Sequence, residues 1–277
     1  MRELTLAKLE NLKTIIKKTG GAVVAFSGGV DSTFLLKVAH DILGDKVLAI
    51  TANSETYPKR ELEAAKTFAM SLDIRHIVIE TLELEIDGFA DNPPDRCYYC
   101  KHELFSKLTE IAKANGMEYV FDGSNYDDRN DHRSGMRAAK QLGVVSPLKQ
   151  AEMTKDDIRE ISKEFGLSTW NKPSFACLSS RFPYGTKITP EKLVVIGAAE
   201  DYIRDLGFQE LRVRHHDNIA RIEIGKVDLE RIIPYADKIV EKIKSLGFLY
   251  VTLDLAGFKT GSMNYTLSEE EKSVESK

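Results

Sequence analysis

Four short runs, "GAVVAF" (21–26), "VLAITAN" (47–53), "IRHIVIE" (74–80) and "YVFDG" (119–123), constrain the fold more than anything else in the chain. Each is apolar on neighbouring positions, a pattern that arises when a strand is covered on both faces, as in parallel sheets flanked by helices. Between them lie stretches with helical spacing over 32–43, 58–72, 100–115 and 154–165. They are preceded by an amphipathic helix over 5–18 that carries Leu6, Leu9, Leu12, Ile15 and Ile16. This alternation predicts an α/β fold with an open, doubly wound parallel sheet as far as about residue 180.

After "SRFPYGTKITP" (180–190) the order changes. Helix 189–206, strand "QELRVR", strand "IARIEIG", helix 228–246 and strand "LYVTLDL" predict a second, smaller α+β domain with an antiparallel sheet. "IRDLGFQELRV" and "IKSLGFLYVTL" repeat a helix, glycine, strand succession that a duplicated unit and ordinary helix capping explain equally well. The expected organisation is therefore a first domain over 1–183, a second over 184–265 and a disordered tail over 266–277, where "LSEEEKSVESK" is almost devoid of apolar residues.

Composition narrows the partners. The chain has 277 residues, 42% hydrophobic and 30% charged, with a net charge of −4, so no global basic field attracts nucleic acid. The opening "MRELTLAKLENLKTIIKKTGG" carries charges throughout and resembles neither a signal peptide nor a membrane anchor, which predicts a cytoplasmic protein with no membrane partner.

Two local patterns carry chemistry. In "VVAFSGGVDS" (23–32) a strand ends in small residues and feeds a helix, so backbone N–H groups at the helix start face an anion with about half a positive charge behind them. Gly28 and Gly29 allow the backbone to approach a phosphate closely, Ser27 and Ser32 offer hydroxyl donors, and Asp31 offers a ligand for a Mg2+ ion. The Walker pattern G-x-x-x-x-G-K-S/T is absent, and a plain glycine turn with Ser or Asp as helix cap is the alternative. The second pattern is Cys97 and Cys100 in "DRCYYCK", with Cys177 further along in "KPSFACLSSRFPYG". A C-x-x-C pair brings two thiolates to one side of a turn or helix start. Zinc would ask for a fourth ligand, and His102 follows Cys100 too closely for the zinc-finger spacing. Three thiolates suit a 4Fe-4S cluster with one open iron, and three buried cysteines acting as small hydrophobes are the alternative.

"SGGVDS" resembles the pyrophosphate-binding loop of the N-type ATP pyrophosphatases, which adenylate an oxygen of their substrate, release pyrophosphate and let a nucleophile displace AMP. The likeness widens through "DGSNYDDRNDHRSGMRAAKQLGVVSPL", "WNKPSFACLSSRFPYGT", "AAEDYIRDLGF", "VRHHDNIARIEI" and "LYVTLDLAGFKTGSMN", so nearly the whole chain resembles the LarE-type ATP-dependent sulfur transferases. The resemblance implies ATP and Mg2+ as cofactors and pyridinium-3,5-biscarboxylic acid mononucleotide as substrate. The carboxylates of that substrate become thiocarboxylates one at a time, on the way to the nickel-pincer cofactor of lactate racemase. It implies adenine contacts at Asn53 and Ser54, a substrate phosphate held by Arg212 and Arg214 with Glu200 close by, a hexamer, and a sulfide donor that reloads the protein. For Arg133, Arg137 and Arg181, in matching loops, phosphate contact and surface salt bridge both stay open.

The three cysteines depart from the better-known members, in which a lone cysteine near position 177 gives up its own sulfur. This chain resembles the members that use a cluster, so Cys97, Cys100 and Cys177 are expected to hold 4Fe-4S, with a sacrificial Cys177 as the alternative. A tRNA thiolase would need a basic module, yet residues 185–264 carry as many Asp and Glu as Lys and Arg. A nitrogen ligase would need an ammonia source for which the chain has no room, and a nucleotide-binding protein without turnover also fits the loop.

Overall fold

The computed structural model describes residues 3–130, 134–259, 261, 262, 265 and 267. Within them the chain divides into two compact units, one of residues 3–83 with 97–175, and one of residues 84–96 with those described from 176 onward.

In the first unit, strands β1 (Ala22–Ala25), β2 (Val47–Asn53), β3 (His76–Glu80) and β4 (Tyr119–Phe121) form one sheet in the order β3-β2-β1-β4, with every pairing parallel. Its helices are α1 (Glu3–Lys17), α2 (Val30–Leu43), α3 (Lys59–Ser71), α4 (Arg96–Ala114), α5 (Ser134–Gln141), α6 (Pro147–Gln150) and α7 (Lys155–Glu164). Side-chain alternation on the two central strands accounts for the unbroken apolar runs. Ala22, Val24, Val47 and Ala49 pack with residues of α1, α2, α3 and α7, while Val23, Leu48 and Ile50 pack with residues of α4 and α5. The sheet is thus doubly wound, and each large apolar side chain buried on either face contributes about 1.5–3 kcal/mol.

Helix α4 begins at Arg96, four residues before the expected start, which places Cys97 and Cys100 in its opening turns. Helix α5 was not legible in the sequence because it packs through small residues. A Cβ on Gly135 would stand 3.0 Å from Lys101 Cγ and 3.4 Å from the Cys97 carbonyl oxygen, so glycine lets α5 lie this close to α4 without displacing Lys101.

The second unit contains α8 (Pro190–Asp205), β5 (Leu211–His216), β6 (Ile219–Ile224), α9 (Ala236–Ser245) and β7 (Tyr250–Leu253). Two expectations are corrected here. The sheet, in the order β5-β6-β7, is mixed rather than antiparallel, because β5 and β6 are antiparallel while β6 and β7 are parallel. The two-residue turn Asp217–Asn218 forces the first pairing, and the long connection carrying α9 permits the second. The helix expected over 228–246 is also broken: two 3-10 turns, Lys226–Asp228 and Ile233–Tyr235, precede α9. Pro234 is the cause, since it lacks an N–H and its ring clashes with the preceding turn of a continuous helix.

The segment 84–96 joins β3 to α4 in sequence but packs as part of the second unit. Asn92, fully buried and at φ +58°, donates through Nδ2 to the carbonyls of Phe182 (3.2 Å) and Pro183 (2.7 Å) and accepts from Arg96 (2.6 Å). Its own carbonyl accepts from the Gly185 amide at 2.9 Å, and that of Ala90 accepts from the Ile188 amide at 2.8 Å. Among the described residues no helix is long and apolar enough to cross a membrane. The tail expected from 266, apart from Leu267, lies outside the described residues.

Helix α7 starts with a capping box in which the Thr154 hydroxyl accepts from the Asp157 amide and the Asp157 carboxylate accepts from the Thr154 amide at 3.0 Å. The same carboxylate accepts from Lys8 (2.6 Å) and Thr5 (3.0 Å), tying α7 to α1. Burial alone would raise its pKa, but the donors Lys8, Thr154 and Thr5 outweigh it and bring it from 3.8 to about 2. Because the folded value lies below the unfolded one, this stabilisation is complete above pH 3.8 and is lost as the pH falls through about 2. Asp157→Asn is therefore expected to cost about 1 kcal/mol at neutral pH and to flatten the stability decline between those two pH values, as read from denaturant midpoints across the acid range.

Candidate active site

Strand order decides where a ligand belongs. The chain runs from β1 to β2 and β3 on one side and returns as β4 on the other, so the order reverses at β1, and open α/β sheets bind ligands beyond the carboxyl ends of the strands at such a point. The loops after those two strands are 26–29 and 122–125. They meet at Gly123, where a Cβ would stand 3.1 Å from the Ser32 amide nitrogen in the first turn of α2.

The sequence 27–32 folds here as a glycine loop entering α2. Gly28 has φ +61°, and a Cβ there would also stand 3.3 Å from Ala65 Cβ, so two independent reasons favour glycine. Gly29 is the N-cap and makes no side-chain cap hydrogen bond, which leaves the opening amides of α2 to whatever ligand the loop holds. The hydroxyls of Ser27 and Ser32 lie 3.0 Å apart, and Ser32 also accepts from the Ser27 amide at 3.3 Å. Asp31 is ion-paired with Lys155 and accepts from Asn125 at 3.4 Å. Asp122, at the end of β4, accepts from the Ser124 hydroxyl at 2.8 Å. Asn53, on the next strand, donates to both Glu80 oxygens at 2.9 and 3.1 Å, and Ser54 bonds to Thr56 at 3.0 Å.

Cys97 and Cys100 stand three residues apart on α4 and so share one helix face. The Cys100 thiol lies 3.9 Å from an oxygen of the buried Glu83. Both cysteines and Cys177 are half-buried and outside any disulfide. Cys177 belongs to the second unit, immediately before the 3-10 turn Leu178–Arg181. Among the described residues, no three His, Cys, Asp or Glu side chains group as metal ligands.

The Cys177 segment is wrapped around a buried guanidinium. Arg181, fully buried, donates to the carbonyls of Ala176 (2.9 Å) and Cys177 (3.1 Å), to the Ser180 hydroxyl (2.7 Å), and in two parallel bonds to Glu200 (2.7 and 3.0 Å). A surface salt bridge is thereby ruled out for Arg181. Glu200 also accepts from Arg204 (2.9 Å) and from the Val213 amide (3.0 Å). Burial would raise its pKa, yet the charges and hydrogen bonds of Arg181 and the charge of Arg204 hold it at about 2. Arg137 instead is exposed and stacks on Tyr98 at 4.3 Å, and Arg133 lies outside the described residues.

Arg212 and Arg214 alternate along β5 with the core-facing Leu211 and Val213, and both are buried. Arg214 pairs with Glu223 at 2.8 Å and donates to the Ser180 carbonyl at 2.8 Å, while Arg212 lies over the Phe258 ring at 4.9 Å. Burial, then the like charge of Arg181, hold the Arg212 pKa below the ordinary arginine value. The guanidinium stays charged at neutral pH, and an anion beside it would relieve that repulsion.

Comparison with known proteins agrees with this geometry. Residues 21–88, which hold the glycine loop, match the family model of the queuosine biosynthesis protein QueC. The pyridinium-3,5-bisthiocarboxylic acid mononucleotide synthase of Lactiplantibacillus plantarum is 42% identical over 268 residues, covering 96% of this chain and 97% of that one. The chain belongs to this LarE family. An uncharacterized protein of Synechocystis is 44% identical over 265 residues, 95% of this chain and 99% of that one. A glutamine-hydrolyzing GMP synthase polypeptide of Archaeoglobus fulgidus is 25% identical over 209 residues, 68% of this chain and 65% of that one.

Sequence patterns missed several residues that surround the LarE glycine loop. Tyr57, Lys172, Lys155 and Asn125 all contact residues 27–31 from distant positions, and no local spacing marks them. The glycine in "DGSN" just after β4 was the one available signal. In the second unit Glu200 carries the clearest energetic consequence. Glu200→Ala leaves the fully buried Arg181 without its carboxylate, while Arg204 keeps Asp201 at 3.3 Å, so a loss of about 3–5 kcal/mol is expected in denaturant unfolding, and a loss below about 1 kcal/mol would remove the Arg181–Glu200 pair from the account of this unit's stability.

Proposed function

We propose that the protein converts the carboxylates of pyridinium-3,5-biscarboxylic acid mononucleotide to thiocarboxylates at the expense of ATP, for nickel-pincer nucleotide biosynthesis. The carrying observation is the uncapped start of α2 at the sheet's reversal point, with Gly28, Gly29, Asp31 and Ser32 around it. The near full-length likeness to a synthase of that name supplies the substrate class.

A substrate carboxylate oxygen attacks the α-phosphorus of ATP, the bond to the β-phosphate oxygen breaks, and pyrophosphate leaves with the electron pair. A sulfur nucleophile then attacks the acyl carbon, and AMP leaves as the C–O bond breaks. The loop amides with Ser27 and Ser32 hold the phosphates, Asn53 and Ser54 contact adenine, and Arg212 and Arg214 hold the substrate phosphate. Asp31 is half-buried at the positive end of α2 and suits a Mg2+ ion, which when bound would neutralise phosphate charge. To bind it, Asp31 must exchange its Lys155 partner for the metal.

Cys97 and Cys100, on one helix face and outside any disulfide, suit the cluster ligand role that the three-cysteine pattern calls for. With Cys177 they would hold a 4Fe-4S cluster, which when bound would carry on its open iron the sulfide to be transferred. A hexameric, cytoplasmic enzyme reloaded by a sulfide donor completes this reading. A second reading makes Cys177 a sacrificial sulfur donor. There the Cys177 thiolate attacks the acyl-adenylate and displaces AMP. Its Cα proton and Cβ–Sγ bond are then lost, leaving dehydroalanine and the thiocarboxylate.

Pyrophosphate release that depends on the pyridinium nucleotide tests the first step, and Asp31→Asn is expected to abolish it while iron content is unchanged. Arg212→Ala is expected to weaken substrate binding by about 1.5–3 kcal/mol with ATP binding unaltered in calorimetry. For the sulfur source, Cys97→Ser and Cys100→Ser are each expected to lose iron and sulfur transfer together. Active variants, with Cys177 lighter by about 34 Da after turnover, would falsify the cluster and establish the sacrificial route.

A further inference from the structure

Three successive carbonyls of the glycine loop are each held by a separate donor. The Ser27 carbonyl accepts from the Tyr57 hydroxyl at 2.8 Å, that of Gly28 from Lys172 Nζ at 3.0 Å, and that of Gly29 from the Thr33 amide at 3.0 Å. In a trans peptide the carbonyl of one residue and the N–H of the next lie in one plane and point in opposite directions. Fixing these three oxygens therefore fixes the N–H groups of Gly28, Gly29 and Val30. Among the described residues none of those amides has an acceptor.

The third bond is built into α2, but the first two depend on distant side chains. They are needed because the loop's own sequence does not hold its peptide planes: with glycine at 28 and 29, rotation of the 27–28 and 28–29 planes meets little steric resistance. A rotated plane would aim a carbonyl oxygen where an N–H should stand and repel an anion. Both clamps are themselves anchored. Tyr57 packs edge-on against Phe175 at 6.1 Å, and Lys172 is ion-paired with Glu61 at 2.6 Å. Burial, then the Glu61 charge, push the Tyr57 hydroxyl pKa up, so it remains a donor at any physiological pH.

We infer that Tyr57 and Lys172 are positioning residues that hold the Gly28 and Gly29 amides toward the pyrophosphate moiety of ATP, with Glu61 keeping Lys172 on the loop rather than on the nucleotide. The inference rests on the ATP-loop part of the proposed function and deepens it by dividing nucleotide recognition into a phosphate share that needs the clamps and an adenosine share that does not.

Calorimetric titration of the full chain with inorganic pyrophosphate and, separately, with adenosine tests this. Tyr57→Phe removes the hydroxyl that donates to the Ser27 carbonyl with little change of shape, and Lys172→Met removes the donor to the Gly28 carbonyl. Each is expected to weaken pyrophosphate binding about three- to tenfold while adenosine binding stays at the wild-type value, and Lys172→Arg, which retains a donor, is expected to recover most of the loss. Equal weakening of both ligands would mean a general folding defect and overturn the inference. Weakening by Lys172→Met alone would overturn it too, by making Lys172 a direct counter-charge. Neither titration involves the pyridinium nucleotide or a sulfur source, so a failed sulfur-transfer assay leaves this result standing, and the converse also holds.

Discussion

The contact between Gly123 and the Ser32 amide is the constraint on which the nucleotide half of the molecule depends. Parallel pairing of β1 with β4 brings the two loops together, but only a residue without a Cβ lets them close to this distance. The first turn of α2 is thereby held against the loop that follows β4. Asn125 then reaches Asp31 from the β4 loop, and Lys155 reaches it from α7, whose own start is tied to α1 through Asp157. One close approach thus sets the position of a helix start, and that position sets which side chains meet at its positive end.

The second unit solves a different problem, that of keeping like charges underground. Arg181, Arg204, Arg212 and Arg214 are gathered around Glu200 and Glu223, and all but Arg204 are nearly inaccessible to water. Such an arrangement is costly unless each guanidinium has carboxylate or carbonyl partners, and Arg181 has both kinds. Its carbonyl partners belong to the Cys177 segment, so the energetics of a buried ion pair and the placement of a sulfur atom are the same set of bonds.

The parts of this structure that were legible in the sequence are those written locally. Apolar runs named β1 to β4, but burial on both faces explains the run only in the central β1 and β2, whereas β3 is an edge strand with Ile77 exposed; the glycines of 28 and 29 named the loop. Direction was harder to read. Whether β7 runs parallel or antiparallel to β6 depends on the path of the connection, and no residue of "YVTL" records it. The break before α9 had a local sign, Pro234, which the surrounding helical periodicity obscured. Arg181 was ambiguous because a guanidinium near a loop reads the same whether it ends in solvent or in the core. Tyr57 and Lys172 were invisible for a simpler reason: both act on carbonyls, which every residue has.

The path of residues 84–96 also limits how the chain can be divided. This segment belongs to the unit made otherwise of 176 onward, so the backbone passes between units at 83–84, 96–97 and 175–176. A fragment beginning at Ala176 would lack Asn92, and the carbonyls of Phe182 and Pro183 and the amides of Gly185 and Ile188 would lose their bonds to Asn92 and Ala90. Gene fusion, fission or recombination at 175–176 alone therefore yields an incomplete module. Any exchange of the second unit between relatives has to carry the thirteen-residue excursion with it, or leave behind a core with a missing wall.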